Sequence, residues 1–292
     1  MKKLLSLLLA FITVFSLFSC SVRRIDDSAT DTAKEKEETV EPIATAMPET
    51  TSVPETTSIP ETTSAPETEP PTPPAMLETE GYPAVLMYHL IPDEPYTELE
   101  NLFVRVSEFE EHLKYLKDAG YTFLFADEFG KVDRKSVIIT LDDGYEDNYT
   151  NMFPLLKKYN AKATVYMIAD KVDKPRYMTS DMIREMASSG YVQFGSHTVY
   201  HNDLTVIGSD MLETELSASK KSLASLTGQE INTVSYPGGA YNDSVIGVAS
   251  KYYKFAYTTE WAYFDGENDL AIPRFGVRRD CSADGLRWIL GD

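Results

Sequence analysis

Two adjacent carboxylates, Asp142 and Asp143, stand in the stretch TLDDGYEDN, directly after the apolar run SVII. Like charges side by side at the end of a buried strand repel one another unless a cation, a donor or water absorbs the charge. A second stretch, SHTVYHNDL, sets His197 and His201 four residues apart at the end of the apolar run YVQFGS. On a helix that spacing puts both rings on one face; in a loop leaving a strand it brings two imidazoles to one ion. Two neutral imidazoles with Asp143 make an open zinc-type site, three protein ligands with room for water. The plainer alternative is an aspartate pair capping the following helix and two histidines on a surface loop. The chain has only four histidines, and a third, His89, ends the run PAVLMYH. Three of the four therefore fall at or just beyond a strand end.

The elements that must position these groups follow from the hydrophobic pattern. Short β-rich runs alternate with amphipathic stretches: PAVLMYH, YTFLF, SVIITL, ATVYMIA, YVQFGS, TVSYP, FAYTT and PRFGV read as strands. SEFEEHLKYLKDAG reads as a helix with Ser107 as N-cap, Glu110 three residues on and Gly120 as its stop. Further helices are expected at about 148–159, 179–189, 210–226, 243–251 and 282–290. Alternation of this kind predicts an α/β fold with a mostly parallel sheet, and some eight strands predict a (β/α) barrel of irregular shape. In such a barrel the chemistry sits at the carboxyl ends of the strands, where Asp142, Asp143, His89, His197 and the PGGAY turn all fall. His112 lies inside the first helix among charged residues and is expected to be a solvated bystander.

The chain of 292 residues is uneven along its length. Residues 1–20, MKKLLSLLLAFITVFSLFSC, have the layout of a secretory signal, and LFSC resembles a bacterial lipoprotein box, with Cys20 as the site of lipid attachment and membrane tethering. An uncleaved membrane anchor is the alternative; both place the rest of the chain outside the cytoplasm. Residues 21–80 carry PETTSV, PETTSI and PETTSA in tandem with almost no large apolar side chains. Such a segment cannot bury a core and reads as an extended, solvated stalk. Residues 81–292 have ordinary globular composition and are long enough for one well-buried core. The formal net charge of −19 comes without the basic stripe that a nucleic-acid footprint needs. Cys281 is the only cysteine besides Cys20, so no disulfide is available within the globular part, and a buried small residue is its simplest reading.

These motifs carry a resemblance. TLDDG resembles the TFDDG motif, and SHTVYH the SHTxxH motif, of the polysaccharide deacetylases, carbohydrate esterase family 4 with the NodB homology domain; SYPGGAYN stands where that family has its third motif. The opening PAVLMYHLIP, a helix and AGYTFL, with IPRFGV late in the chain, are most similar to the branch of exported poly-β-1,6-N-acetylglucosamine deacetylases. The similarity spans essentially residues 82–290. It implies an irregular (β/α) barrel of the NodB type and a divalent metal, zinc first, with cobalt, nickel or iron as alternatives, held by Asp143, His197 and His201.

By the same resemblance Asp142 is the general base that accepts a proton from the water the metal activates, and His89 is the acid that protonates the leaving amine. The turn Pro237, Gly238, Gly239 and the backbone N–H of Tyr241 would face the oxyanion, although a plain tight turn explains the glycines equally well. The chain departs from the family's pattern where the third motif begins with a base-orienting arginine: Ser235 and Tyr236 stand there. Arg274, in IPRFGV, is the candidate substitute, with a surface or interface arginine as the alternative. The aspartate and tryptophan of the fourth motif have no clear match.

The implied activity is removal of N-acetyl groups from N-acetylglucosamine residues of an extracellular or cell-wall polysaccharide. Tyr200, Tyr241, Trp261 and Tyr263 are candidates for a glycan groove, against the commoner role of aromatics as packing residues. Two rival readings stand beside it: a polysaccharide O-acetyl esterase, and a non-catalytic surface glycan-binding module.

Overall fold

A computed structural model of the protein describes residues 81–94, 102–132 and 134–292. The expected leader, Cys20 and the 21–80 stalk lie outside the described residues. Among those described, no helix is long and apolar enough to cross a membrane.

Among the described residues, eight strands and six helices alternate. The strands are β1 (Ala84–Tyr88), β2 (Thr122–Leu124), β3 (Ser136–Leu141), β4 (Ala163–Met167), β5 (Val192–Ser196), β6 (Thr233–Ser235), β7 (Phe255–Tyr257) and β8 (Phe275–Gly276). The helices are α1 (Val106–Asp118), α2 (Phe153–Tyr159), α3 (Ser180–Ser188), α4 (Ser209–Thr227), α5 (Asp243–Ala249) and α6 (Ala283–Leu290). All strand pairs are parallel, in the order β7-β6-β5-β4-β3-β1-β8. The sheet curls until Tyr257 of β7 meets Ile272, just ahead of β8, in a single parallel bridge. The barrel is irregular because β2 pairs only with the first half of β3, at Ser136–Ile138, and β4 only with its end, at Thr140–Leu141.

The strands are nearly continuous apolar runs because both faces are buried, as parallel sheets require. Val85, Ile138, Tyr166, Phe255, Tyr257 and Ile272 fill the interior, with Phe129 as a plug. Phe129 meets Phe255 and Tyr257 edge-on, with ring centroids 5.6 and 6.2 Å apart. Leu86, Ile139, Val165, Phe194 and Phe275 alternate outward and pack under the helices.

Three local expectations need correction. The N-cap of α1 is Arg105, not Ser107: Glu108 Oε2 accepts the Arg105 main-chain N–H at 2.9 Å, so the reaching-back carboxylate is Glu108, not Glu110. Gly120 does follow the helix end, in left-handed conformation at φ 78°. His112 is fully buried, because it shares a stripe of spacing three and four with Phe109, Leu113 and Leu116. Its Nε2 donates to the Cys281 carbonyl at 2.6 Å and its Nδ1 accepts from the Tyr88 hydroxyl at 3.2 Å. Burial holds its pKa below the usual histidine value, so the neutral ring fits that pair of bonds. Cys281 is only half-buried; it lies in the turn entering α6, where its carbonyl serves His112.

Candidate active site

The TLDDG stretch separates its two carboxylates by a backbone turn. The Asp142 N–H donates to the Tyr88 carbonyl at 3.0 Å, continuing the β1–β3 ladder by one residue. Asp143 and Gly144 then both adopt left-handed backbone, at φ 73° and 81°. A non-glycine residue there is uncommon and strained. Glycine suits 144 because of that φ, and a Cβ there would also displace the Met167 thioether, 2.1 Å away. Asp142 consequently points into the barrel toward Arg274, and Asp143 toward the histidines.

Asp143, His197 and His201 each offer one ligand atom, and these atoms all lie within 4.8 Å of one another. The His197 and His201 Nε2 atoms stand 3.5 and 3.7 Å from Asp143 Oδ1. His197 Nδ1 donates to the Ser235 carbonyl at 2.8 Å, which fixes the tautomer and leaves Nε2 with its lone pair toward the group of three. Burial, against the pull of Asp142 and Asp143, holds the His197 pKa below the usual value. A ring kept neutral is what a metal ligand must be. Donor set, spacing and protonation state therefore fit a divalent cation.

Asp142 lies on the fully buried Arg274. Arg274 Nη1 donates to Oδ1 at 2.8 Å and Nη2 to Oδ2 at 2.7 Å, a bidentate pair. Its remaining donors reach the Thr258 carbonyl, Thr140 Oγ1 and Ser235 Oγ. Ser235 Oγ in turn donates to Asp142 Oδ2 at 3.1 Å. Burial by itself pushes the Asp142 carboxyl upward, but the Arg274 guanidinium outweighs it and holds the group well below the usual carboxylate range. Arg274, the residue just ahead of β8, thus reaches the place where the motif arginine was missing, and Ser235, the residue in that place, joins the same network.

His89 follows β1 directly, within electrostatic reach of Asp142. The segment that carries it is clamped by the turn after TLDDG, a π-helical turn over Asn148–Met152. Asp147 Oδ2 accepts from the Ile91 N–H at 3.0 Å, Asn148 Nδ2 donates to the His89 carbonyl at 2.8 Å, and Asn151 Nδ2 donates to the Ile91 carbonyl at 2.8 Å. Single π-turns recur at functional sites. Burial pushes the Asp147 carboxyl up to about 7 despite the donors from Ile91 and Asn148. Tyr145, raised by burial and by the charge of Asp143, stacks on Tyr177 at 5.1 Å beside the three ligands. A cavity of about 380 Å³ lined by Leu90, Glu94, Tyr145, Asp147 and Arg176 opens beside it.

The PGGAY turn sits two residues beyond Ser235 as a 3₁₀ turn over Pro237–Gly239. Gly239 is obligatory, because at φ 75° its Cβ would come within 2.6 Å of the Thr259 backbone nitrogen. The N–H groups of Gly239 and Ala240 close the turn on Tyr236 and Pro237, and that of Tyr241 takes no part in it. The Tyr241 ring stacks on Tyr236 at 5.8 Å, and its hydroxyl donates to Glu260. Trp261 is not brought to this mouth. It packs edge-on against Phe275 and stacks on Trp288 of α6, an exposed ledge with Tyr263 on the helix side of β8, opposite to Arg274. Tyr200 is exposed in the loop between the two histidines.

Residues that the sequence reading passed over complete the site: Asn148, Asn151 and Asp147 behind His89, and Glu215 of α4 behind the SHTVYH loop, where it accepts from the Val199 and Tyr200 N–H groups at 2.7 and 2.9 Å. Glu215 carried a signal, since it falls in the buried stripe Leu212, Leu216, Ser219, Leu223, where an apolar residue is expected.

Comparisons with known proteins place the chain among polysaccharide deacetylases. The profile of the family described as polysaccharide deacetylase matches residues 129–255. YxkH of Bacillus subtilis (strain 168), which carries the same family name, is 36% identical over 184 residues, covering 60% of this chain and 64% of its own, so this chain spans just under two thirds of that relative. The poly-beta-1,6-N-acetyl-D-glucosamine N-deacetylase of Staphylococcus aureus (strain MRSA252) is 31% identical over 204 residues, 63% of this chain and 70% of that one. The solved structure of the Streptococcus pyogenes deacetylase PplD in complex with acetate superposes with a TM-score of 0.68 at 30% identity, over 73% of this chain and 99% of that one.

Proposed function

Since this chain belongs to the polysaccharide deacetylase family, we propose that it is a metal-dependent hydrolase that removes N-acetyl groups from N-acetylglucosamine residues of an extracellular or cell-wall polysaccharide and releases acetate. The observation that carries the reading is the division between neighbours: Asp142 is fixed on a guanidinium, while Asp143 faces two imidazoles. A binding module has no use for a second, separately held carboxylate at such a place.

Asp143, His197 and His201 would hold the metal, most simply zinc. When bound, it supplies an acidified water and positive charge for the acetamide carbonyl. Asp142 would take the proton at Oδ1, which among the described residues accepts only from Arg274 Nη1 and keeps a lone pair. Arg274 keeps that carboxylate ionised and stops it from turning. The Tyr241 N–H would donate to the oxyanion as the carbonyl carbon becomes tetrahedral. His89 gives a proton to the nitrogen as the C–N bond breaks, so that the sugar leaves as an amine and the acyl group as acetate.

Similarity to the Staphylococcus aureus poly-N-acetylglucosamine deacetylase favours a β-1,6-linked polymer, with peptidoglycan glycan as the competing substrate. The site would act outside the cytoplasm, tethered through Cys20 and the 21–80 segment. The purified protein loaded with zinc should release acetate and new primary amines in equal amounts from β-1,6- or β-1,4-linked N-acetylglucosamine oligomers. Turnover of O-acetylated xylan alone would move the assignment to an esterase.

A further inference from the structure

We propose that Glu215, on the buried face of α4, is a positioning residue that preshapes the loop joining His197 to His201 for metal capture; the proposal rests on Asp143, His197 and His201 being a divalent metal site. The loop needs such support, since two of its non-glycine residues, Thr198 and His201, have left-handed backbone at φ 66° and 62°. Such strained backbone persists only when its surroundings over-determine it.

One carboxylate holds most of the loop. Glu215 Oε2 accepts from the N–H groups of Val199 (2.7 Å) and Tyr200 (2.9 Å), and Oε1 accepts from Asn202 Nδ2 (2.6 Å). The same turn of α4 reaches the residue before: the Thr198 N–H donates to Ser196 Oγ at 3.1 Å, Ser196 Oγ lies 2.7 Å from Ser219 Oγ, and Ser219 Oγ donates to the Glu215 carbonyl at 2.7 Å. On the other side the Thr198 and Val199 carbonyls accept from the N–H groups of Ala169 and Asp170, both at 3.0 Å. The peptide planes between the two imidazoles are therefore fixed from both sides, and both Nε2 atoms already stand within 3.7 Å of Asp143 Oδ1.

A structural role alone would not call for a charge here. Glu215 is fully buried, and burying a carboxylate is costly unless donors compensate it; an apolar residue would satisfy the stripe of α4 at no such cost. All three donors that compensate Glu215 come from residues 199–202, so the charge acts on the ligand loop. Groups that orient ligands from behind are worth about 10–100-fold in metal affinity.

The test compares wild type, Glu215→Gln and Asn202→Ala as purified full-length protein. Glutamine retains one acceptor and turns a donor toward Asn202; Asn202→Ala removes one of the three bonds and leaves Glu215 in place. Zinc affinity by chelator competition, the visible spectrum of the cobalt form and thermal unfolding without metal are read together. Glu215→Gln should bind zinc about 10–100-fold more weakly with an altered cobalt spectrum and a metal-free unfolding midpoint near that of wild type. Asn202→Ala should shift affinity the same way by less. Unchanged zinc affinity in both variants, with a lowered metal-free midpoint, would overturn the proposal and leave Glu215 a fold-stabilising residue. If Glu215→Gln does not fold, unchanged affinity in Asn202→Ala overturns it alone. Failure of wild type itself to bind zinc or cobalt would instead remove the metal reading, and this proposal with it.

Discussion

Arg274 grips Asp142 from 132 residues away in sequence through two parallel N–H···O bonds, Nη1 to Oδ1 at 2.8 Å and Nη2 to Oδ2 at 2.7 Å. Both groups are buried, so the pair has few alternatives. Removing one member of such a pair leaves an uncompensated charge in the interior. Arg274→Met should cost about 3–5 kcal/mol of stability, read by denaturant unfolding. Arg274→Lys keeps the charge and loses the fork. It should lower kcat with little change in KM and shift the acid limb of the pH–rate profile upward, because Arg274 is what holds the Asp142 pKa low. An acid limb that stays where it was would separate Arg274 from the base.

His201 is the most exposed of the three candidate ligands, with a side chain 42% accessible, so His201→Ala should fold normally. Zinc at about 100 times its Kd should stabilise wild type by about 2.7 kcal/mol and leave His201→Ala nearly unmoved. Differential scanning calorimetry in chelator and in zinc checks this, and equal zinc shifts in the two proteins would argue against the ligand set.

In the proposed mechanism His89 protonates the leaving group, which is poor in an amide and good in an ester. His89→Ala should therefore lose about 10²–10⁴-fold on N-acetylated oligomers and much less on an O-acetyl ester. Asn148→Ala, which frees the His89 carbonyl, should show a smaller loss of the same selectivity. Equal losses on both substrates would take His89 out of the acid role.

Asp147 has its folded pKa raised from 3.8 to about 7. The folded state then binds the proton more tightly than the unfolded chain between those values, so stability falls as pH rises through that window. The slope is at most about 1.4 kcal/mol per pH unit. In Asp147→Asn this component should vanish, so metal-free unfolding free energies of wild type and variant, measured from pH 4 to pH 8, should diverge by that slope. Parallel pH curves would contradict it.

Much of this was legible in the sequence. Eight strands and six helices were marked by apolar runs and their punctuation, because a parallel sheet buried on both faces leaves a strong signal. The triad was legible because histidine is scarce here and its spacing is short. What escaped depended on distant packing. His112 looked solvated among Glu110, Glu111 and Lys114, yet its partners, Tyr88 and the Cys281 carbonyl, come from β1 and the turn into α6. Trp261 follows β7 just as a groove residue would, but the outward parity of Phe275 carries it to the helix side. Arg274 could be singled out from its motif; only the curl of the sheet, which brings β8 against β1 and so near the end of β3, sets it on Asp142.

Asp142 is proposed to work as a base beside a metal held by its neighbour Asp143 with His197 and His201. Acetate release from N-acetylglucosamine oligomers, measured for the protein stripped of metal, then reloaded with zinc or cobalt, and for Asp142→Asn under the same loading, tests it most directly. Release should vanish on stripping, return with metal, and stay absent in Asp142→Asn although that variant still binds zinc. Release that survives stripping, or an Asp142→Asn protein as active as wild type, would contradict it.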